Sequence, residues 1–281
     1  MKKPVIFTDL DGTLLDHESY SFEPALPALR LIRESGIPLV VCSSKTRGEI
    51  ERYRRRLDNR HPFISENGGG IYIPHGCFDP LILPPGVTSS EVDGYSVIRL
   101  GPFYPALRRA VVELRNEGFN ITGFGDMTSS GVAAITGLTV EEAVLARERE
   151  FDEPFLFREG KKGVELLVKA IRRKGYQLTR GRFFHILGES DKGKAVDILA
   201  GLYRGKLGDI FIVALGNSPN DLSMLERADC PVLVMKPGGG YDPAIHLPRL
   251  IRARGMGPAG WNSALLDLLE AWEDDCLDQS R

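Results

Sequence analysis

No two of the four cysteines, Cys42, Cys77, Cys230 and Cys276, stand at C-x-x-C spacing, and none groups with histidine in a zinc-binding pattern. The N-terminus passes from Met1-Lys2-Lys3-Pro4 into an apolar run too short for a signal-peptide core or a membrane span. No charge of one sign dominates: 36 Lys and Arg stand against 38 Asp and Glu, for a net charge of -2. The chain therefore has no global basic field for nucleic acid or an anionic membrane surface, and neither is expected as a partner. Internal repeats and low-complexity tracts are absent as well. The expected setting is the cytoplasm, with reduced thiols.

The composition that remains is that of a globular protein, 42% hydrophobic and 26% charged over 281 residues, enough for one large domain or two smaller ones. Short, continuously apolar runs read as strands buried on both faces: 5–8, 38–42, 63–65, 210–215 and 231–235. Helical spacing lies between them, over 24–35 (closed by Gly36), 192–204 and 219–228. Alternation of this kind predicts an α/β fold with a doubly wound, mostly parallel sheet, Rossmann-like in its winding. The basic run Arg52-Tyr53-Arg54-Arg55-Arg56 reads as a solvated helix face or, alternatively, an anion site.

The middle of the chain differs. Residues 95–100 read as a strand and 104–118 as a helix. Residues 139–150 read as a second helix, with Thr139 and Glu142 at capping-box spacing. Strands at 155–157 and 183–186 flank a helix over 162–174, and the proline-rich stretch 81–94 reads as a hinge. The simplest organisation is a catalytic core of 1–84 and 187–281 interrupted by an inserted α+β domain, 85–186.

Ligands of open parallel sheets bind at the carboxyl ends of the strands. Those ends carry Asp9 and Asp11, then Ser43-Ser44-Lys45-Thr46, then Gly216-Asn217-Ser218-Pro219-Asn220-Asp221, with Glu189 to Lys194 in a preceding turn. Carboxylates, hydroxyls, an amide and a lysine on one rim suit Mg²⁺ and a phosphate group.

Asp9-Leu10-Asp11-Gly12-Thr13 matches D-x-D-x-T, and with the three later segments in order the chain resembles the haloacid dehalogenase-like phosphatases. The resemblance implies Asp9 as the nucleophile that forms an aspartyl-phosphate. It implies Asp11 as the acid that protonates the leaving alkoxide and the base that later activates water. Ser43 would bond a phosphate oxygen, with Ser44 the alternate or a helix cap, and Lys192 would stabilise phosphoryl charge; Lys194 is expected at the surface. Asp9, Asp11 through its backbone, Asn217 and Asp221 would hold Mg²⁺, although Asp221 also suits a helix N-terminus. Asn217 stands where the family often has an acid, which implies one less negative charge on the metal.

A narrower resemblance rests on Val41 to Arg47, Ile64 to Tyr72, Gly125-Asp126-Met127, Ala146 to Phe155 and Gly188 to Val196. This set looks like the mannosyl-3-phosphoglycerate phosphatases. It implies a small anionic phosphosugar substrate and a cap following the third core strand. Ser44, Lys45, Glu66, Asn67, Arg147 and Arg149 are then the candidate substrate contacts, since a phosphate and a glycerate carboxylate call for cations and amides. For the cap arginines a surface salt bridge is the alternative, and for Gly68 to Gly70 a β-turn. A glucosyl-3-phosphoglycerate, sucrose-phosphate or other sugar-phosphate phosphatase, a phosphomutase and an idle ligand-binding relative remain competing readings.

Overall fold

The computed structural model describes residues 2–278, with side chains through residue 272. Its strands are β1 (Lys3–Thr8), β2 (Leu39–Cys42), β3 (Phe63–Ser65), β4 (Gly70–Pro74), β5 (Ser89–Val92), β6 (Tyr95–Arg99), β7 (Ile121–Gly123), β8 (Asp152–Phe157), β9 (Gln177–Arg180), β10 (Phe184–Leu187), β11 (Ile210–Gly216), β12 (Cys230–Met235) and β13 (Ile251–Met256). The chain packs as two compact units: Met1–Cys42, Phe78–Pro85 and Val196–Arg281 form one, Ser43–Cys77 and Gly86–Ala195 the other.

In the first unit β13, β12, β11, β1 and β2 lie side by side, all parallel. The chain winds from β1 to β2 on one side and later from β11 outward on the other. The strand order therefore reverses at β1, which puts a crevice at its carboxyl end. Val5, Ile6, Phe7, Ala214, Leu215 and Val232 to Val234 are buried, as strands covered on both faces require. Leu26–Glu34 is a helix that buries Ala28, Leu29 and Ile32. The C-terminal helix Gly257–Asp278 buries Trp261, whose indole Nε1 donates to Thr8 Oγ1 at 2.9 Å and so anchors the residue preceding Asp9.

The second unit holds two antiparallel sheets. One runs β3-β4-β6-β5 and the other β7-β8-β10-β9. The helices Tyr104–Asn116 and Lys161–Arg173 supply Leu107, Val111, Leu114, Leu167 and Ile171 to a core that also takes Ile121, Phe155 and Ile186.

Several sequence expectations shift at element ends. The 139–150 helix closes at Arg147, although its capping box forms as read, with Glu142 N donating to Thr139 Oγ1 at 3.2 Å. Pro219 opens a 3₁₀ turn before the short helix Leu222–Leu225. The 81–94 stretch contains β5, an edge strand whose four residues are all exposed; without a buried face it carries no hydrophobic alternation to read. The basic run is divided: Arg54 is buried with its guanidinium 4.7 Å from the Phe63 ring centre, bonded to Tyr95 Oη and the His61 carbonyl, while Arg55 and Arg56 face solvent.

Candidate active site

In the first unit the site is built on the end of β1. Asp9 is held by its own N–H, which donates to the Leu215 carbonyl of β11 at 2.9 Å, and its carboxylate accepts from Thr13 Oγ1 at 3.2 Å. Its side chain keeps only slight exposure, 5% for the residue as a whole. Gly12 has φ +73°, a conformation that disfavours a side chain, and a Cβ there would run into the Asn217 amide nitrogen. This close approach brings Asn217 Nδ2 to 3.3 Å from the Asp11 carbonyl oxygen.

The loop after β11 is fixed from below by Asp221. Its Oδ2 accepts the N–H groups of Asn217 and Ser218, both at 2.9 Å, and the side chain is fully buried. Ser218 Oγ donates to Asn217 Oδ1 at 2.7 Å, so the amide has a defined orientation. Asp9, the Asp11 carbonyl and Asn217 thus gather at the end of β1.

Among the described residues no cluster of three or more His, Cys, Asp or Glu is placed to hold a metal. A cation here would instead use carboxylate, carbonyl and amide oxygens. That all-oxygen set fits a small hard divalent ion, which takes few carboxylates and keeps several waters.

In the second unit the Ser43-Ser44-Lys45 turn follows β2. Ser43 is fully buried; its N–H donates to the Ile64 carbonyl at 3.0 Å and its Oγ accepts from Lys45 N at 3.2 Å. Thr46 caps the helix Arg47–Arg56 in a capping box with Glu49, the acid that also accepts from Lys45 Nζ at 3.4 Å. Lys192, 1% exposed, opens the helix Lys192–Leu207, whereas Lys194 faces solvent. Ser43, Lys45 and Lys192 are therefore desolvated polar groups, and the charge of a buried lysine acts at low dielectric.

The remaining candidates divide by what already occupies them. Glu66 is fully buried and accepts the backbone N–H groups of Glu150, Phe151 and Asp152 at 2.7 to 3.1 Å. Burial first, and then the Asp152 carboxylate, raise the Glu66 pKa. Burial also pushes Asp152 upward, but Arg149, His185 and the Asn67 amide outweigh it and hold that carboxyl below its ordinary range. Asn67 Nδ2 donates to Asp152 Oδ2 at 2.9 Å. Arg149 bonds the Ser44 carbonyl, the Ala146 carbonyl and Asp152 at 2.7, 2.9 and 2.9 Å. Arg147 is different: its Nη1 donates to Ser129 Oγ at 3.2 Å, and its buried Nε has no partner among the described residues.

Sequence reasoning passed over His185 and Glu49, and took in Asp152 only as one member of the Ala146-to-Phe155 segment. Each is a buried charged or polar residue inside an otherwise ordinary segment. The one available signal was a pair of acids at the start of an otherwise apolar strand, since Asp152 and Glu153 open β8.

Residues 6–77 match the haloacid dehalogenase-like hydrolase family. A glucosyl-3-phosphoglycerate/mannosyl-3-phosphoglycerate phosphatase of Methanococcoides burtonii is 46% identical over 269 residues, covering 95% of this chain and 97% of that protein. A mannosyl-3-phosphoglycerate phosphatase of Pyrococcus horikoshii is 38% identical over 232 residues, 82% of this chain and 90% of that one. The sucrose-phosphatase of Synechocystis shares the fold, with a TM-score of 0.61 over 95% of this chain and 98% of that one at 13% identity. The chain belongs to the haloacid dehalogenase-like hydrolase family and is a phosphoric monoester hydrolase, grouping with the mannosyl-3-phosphoglycerate phosphatases.

Proposed function

We propose that this enzyme removes phosphate from mannosyl-3-phosphoglycerate to give mannosylglycerate, with the glucosyl analogue as a second substrate. The observation that carries the reading is the 46% identity spread over 95% of the chain to a relative whose name holds both activities. The enzyme works in the cytoplasm on a small anionic phosphosugar. Residues 1–84 and 187–281 act as the catalytic core and 85–186 as the inserted cap, a division by chain insertion that does not follow the packing units.

Asp9 attacks phosphorus in line and carries the phosphoryl group as an acyl phosphate. Asp11 gives a proton to the departing glycerate oxygen and takes one from the water that then attacks Asp9's phosphoryl group. Ser43 and Lys192 bond the phosphoryl oxygens; being desolvated, they stabilise the charge that grows there more than surface groups would. Lys45 and Arg147 serve the glycerate carboxylate, and Ser44 stands as the alternate to Ser43. Asp9, the Asp11 carbonyl, Asn217 and Asp221 would hold Mg²⁺. When bound, the ion offsets the repulsion between the Asp9 carboxylate and the phosphate dianion.

A phosphate-release assay with paired mannosyl- and glucosyl-3-phosphoglycerate, with and without EDTA, tests this. Turnover of both, abolished by EDTA and restored by Mg²⁺, is expected. Faster turnover of sucrose phosphate or simple hexose phosphates would reject the assignment.

A further inference from the structure

The three-residue turn between β3 and β4 has an uncommon backbone. Glu66, Asn67 and Gly68 are consecutive and all left-handed, at φ +47°, +56° and +94°. Two of the three are non-glycine, a conformation that persists only where its surroundings over-determine it. The surroundings here are unusually specific.

One side of the turn grips the Ser43-Ser44-Lys45 segment. Asn67 N donates to the Ser43 carbonyl and Glu66 N to the Lys45 carbonyl, both at 3.0 Å. The other side meets the segment that presents Lys192. A Cβ on Gly68 would collide with the Asp191 carbonyl and come to 2.8 Å from Lys192 N, so backbone lies directly on backbone. One strained turn thus sets both Ser43 and Lys192.

What holds the turn is a buried polar network from the 146–152 segment. Glu66 collects the N–H groups of residues 150 to 152, and Asn67 bonds Asp152 Oδ2. Asp152 Oδ2 also lies 2.9 Å from His185 Nδ1, and its Oδ1 accepts from Arg149 Nη1 at 2.9 Å. Arg149 Nη1 reaches on to the Ser44 carbonyl at 2.7 Å, closing the loop back to the Ser43 turn. Phe151 fills the space that side chains at Gly69 and Gly70 would need. The polar atoms of Glu66, Arg149 and Asp152 point at backbone and at side chains of the protein, those of Asn67, His185 and Glu49 included.

We propose that Glu66, Arg149 and Asp152 are positioning residues that act on phosphoryl transfer through the Ser43 and Lys192 turns, and that they do not contact the sugar or glycerate. The proposal rests on the reading of Ser43 and Lys192 as phosphate ligands. It makes the 146–152 segment, with Glu66 and Asn67, a brace for the phosphate cradle.

Arg149→Lys, Asp152→Asn and Glu66→Gln are the informative variants. A lysine ammonium is a single nitrogen and cannot span the separate Nε and Nη1 positions from which Arg149 donates, and a glutamine amide turns a donor toward the N–H groups of 150 to 152. Misplacement of a catalytic group by 1 Å can cost about 100-fold in rate. For each variant kcat and KM are measured with the phosphosugar and with a small aryl phosphate that lacks sugar and carboxylate, alongside Ki for inorganic phosphate and the melting temperature.

The expected result is a parallel fall in kcat on both substrates, of about 10- to 100-fold, with weaker inhibition by phosphate. A rise in KM for the phosphosugar alone, with the aryl phosphate untouched, would mean direct substrate contact and overturn the proposal. A lowered melting temperature with kcat intact would reduce the network to fold stability and overturn it too. Glu66→Gln, nearly isosteric, keeps the test available if Arg149→Lys fails to fold. Ser43→Ala and Lys192→Ala run in parallel: if neither lowers kcat on the aryl phosphate, the phosphate-ligand reading itself fails, whatever the brace variants do.

Discussion

Replacing Gly12 by alanine should separate two costs that the structure assigns to different atoms. The first is backbone: at φ +73° an L-residue loses about 1–2 kcal/mol relative to a right-handed conformation. The second is local to the site. The new methyl would displace the Asn217 amide from the Asp11 carbonyl and from Ser218 Oγ, two bonds worth about 1 kcal/mol each. Gly36 offers the control, since it has φ +64° but a Cβ there would meet nothing within 4 Å. Gly36→Ala should lose only the backbone part, and Gly12→Ala about 3–4 kcal/mol in all. At about 2–4 °C per kcal/mol, the two melting temperatures should differ by several degrees. The Mg²⁺ concentration for half-maximal activity should rise about tenfold or more in Gly12→Ala, equivalent to about 1.4 kcal/mol, and stay fixed in Gly36→Ala. Equal melting shifts and equal metal requirements in the two variants would refute the proposal that Asn217 helps to hold the metal.

Three further outcomes follow from other atoms. Asn217→Asp should lower the Mg²⁺ requirement by adding a charge to the donor set, while lowering stability in EDTA because the bond to the Asp11 carbonyl is lost; a titration of activity and a melt check both. Trp261→Phe should cost about 1 kcal/mol in a thermal melt by removing the indole donor to Thr8, with a smaller fall in kcat. Asp126 is pushed upward by partial burial, but bonds from Arg108 and Arg115 prevail and bring it down to about 2 from 3.8. Its stabilisation is therefore present above about pH 4 and is lost as pH falls toward 2, so Asp126→Asn should melt below wild type at pH 7 and converge with it across that acid range.

The parallel sheet was legible because its strands are buried on both faces, and Val5 to Phe7 or Ile212 to Leu215 leave no other reading. The edges were not. β5 has no buried side chain, and β13, Ile-Arg-Ala-Arg-Gly-Met, buries only Ala253, so neither carries a periodic signal. The helix that supplies Trp261 begins Gly-Pro-Ala-Gly, a start that propensity alone would give to a turn.

The site shows the same division. Asp9, Asp11 and Asn217 could be named because each stands at or just beyond the end of a strand that its own apolar run makes visible. The buried network of Glu66, Arg149 and Asp152 joins residues some 80 positions apart, and no local pattern links an acid in one turn to the backbone of a distant strand. In sequence these residues look like substrate contacts, since charged side chains in a glycine-rich or cap segment suggest exposure. Burial reveals that their partners lie within the protein.

The central claim is that Asp9 carries the phosphoryl group. Enzyme mixed with phosphosugar in single turnover, quenched in acid and digested, should contain a peptide spanning Asp9 heavier by one phosphoryl group, and borohydride reduction should convert that aspartate to homoserine. The adduct should be missing from Asp9→Asn. Release of phosphate by Asp9→Asn at the wild-type rate, or label on any other residue, would contradict the account.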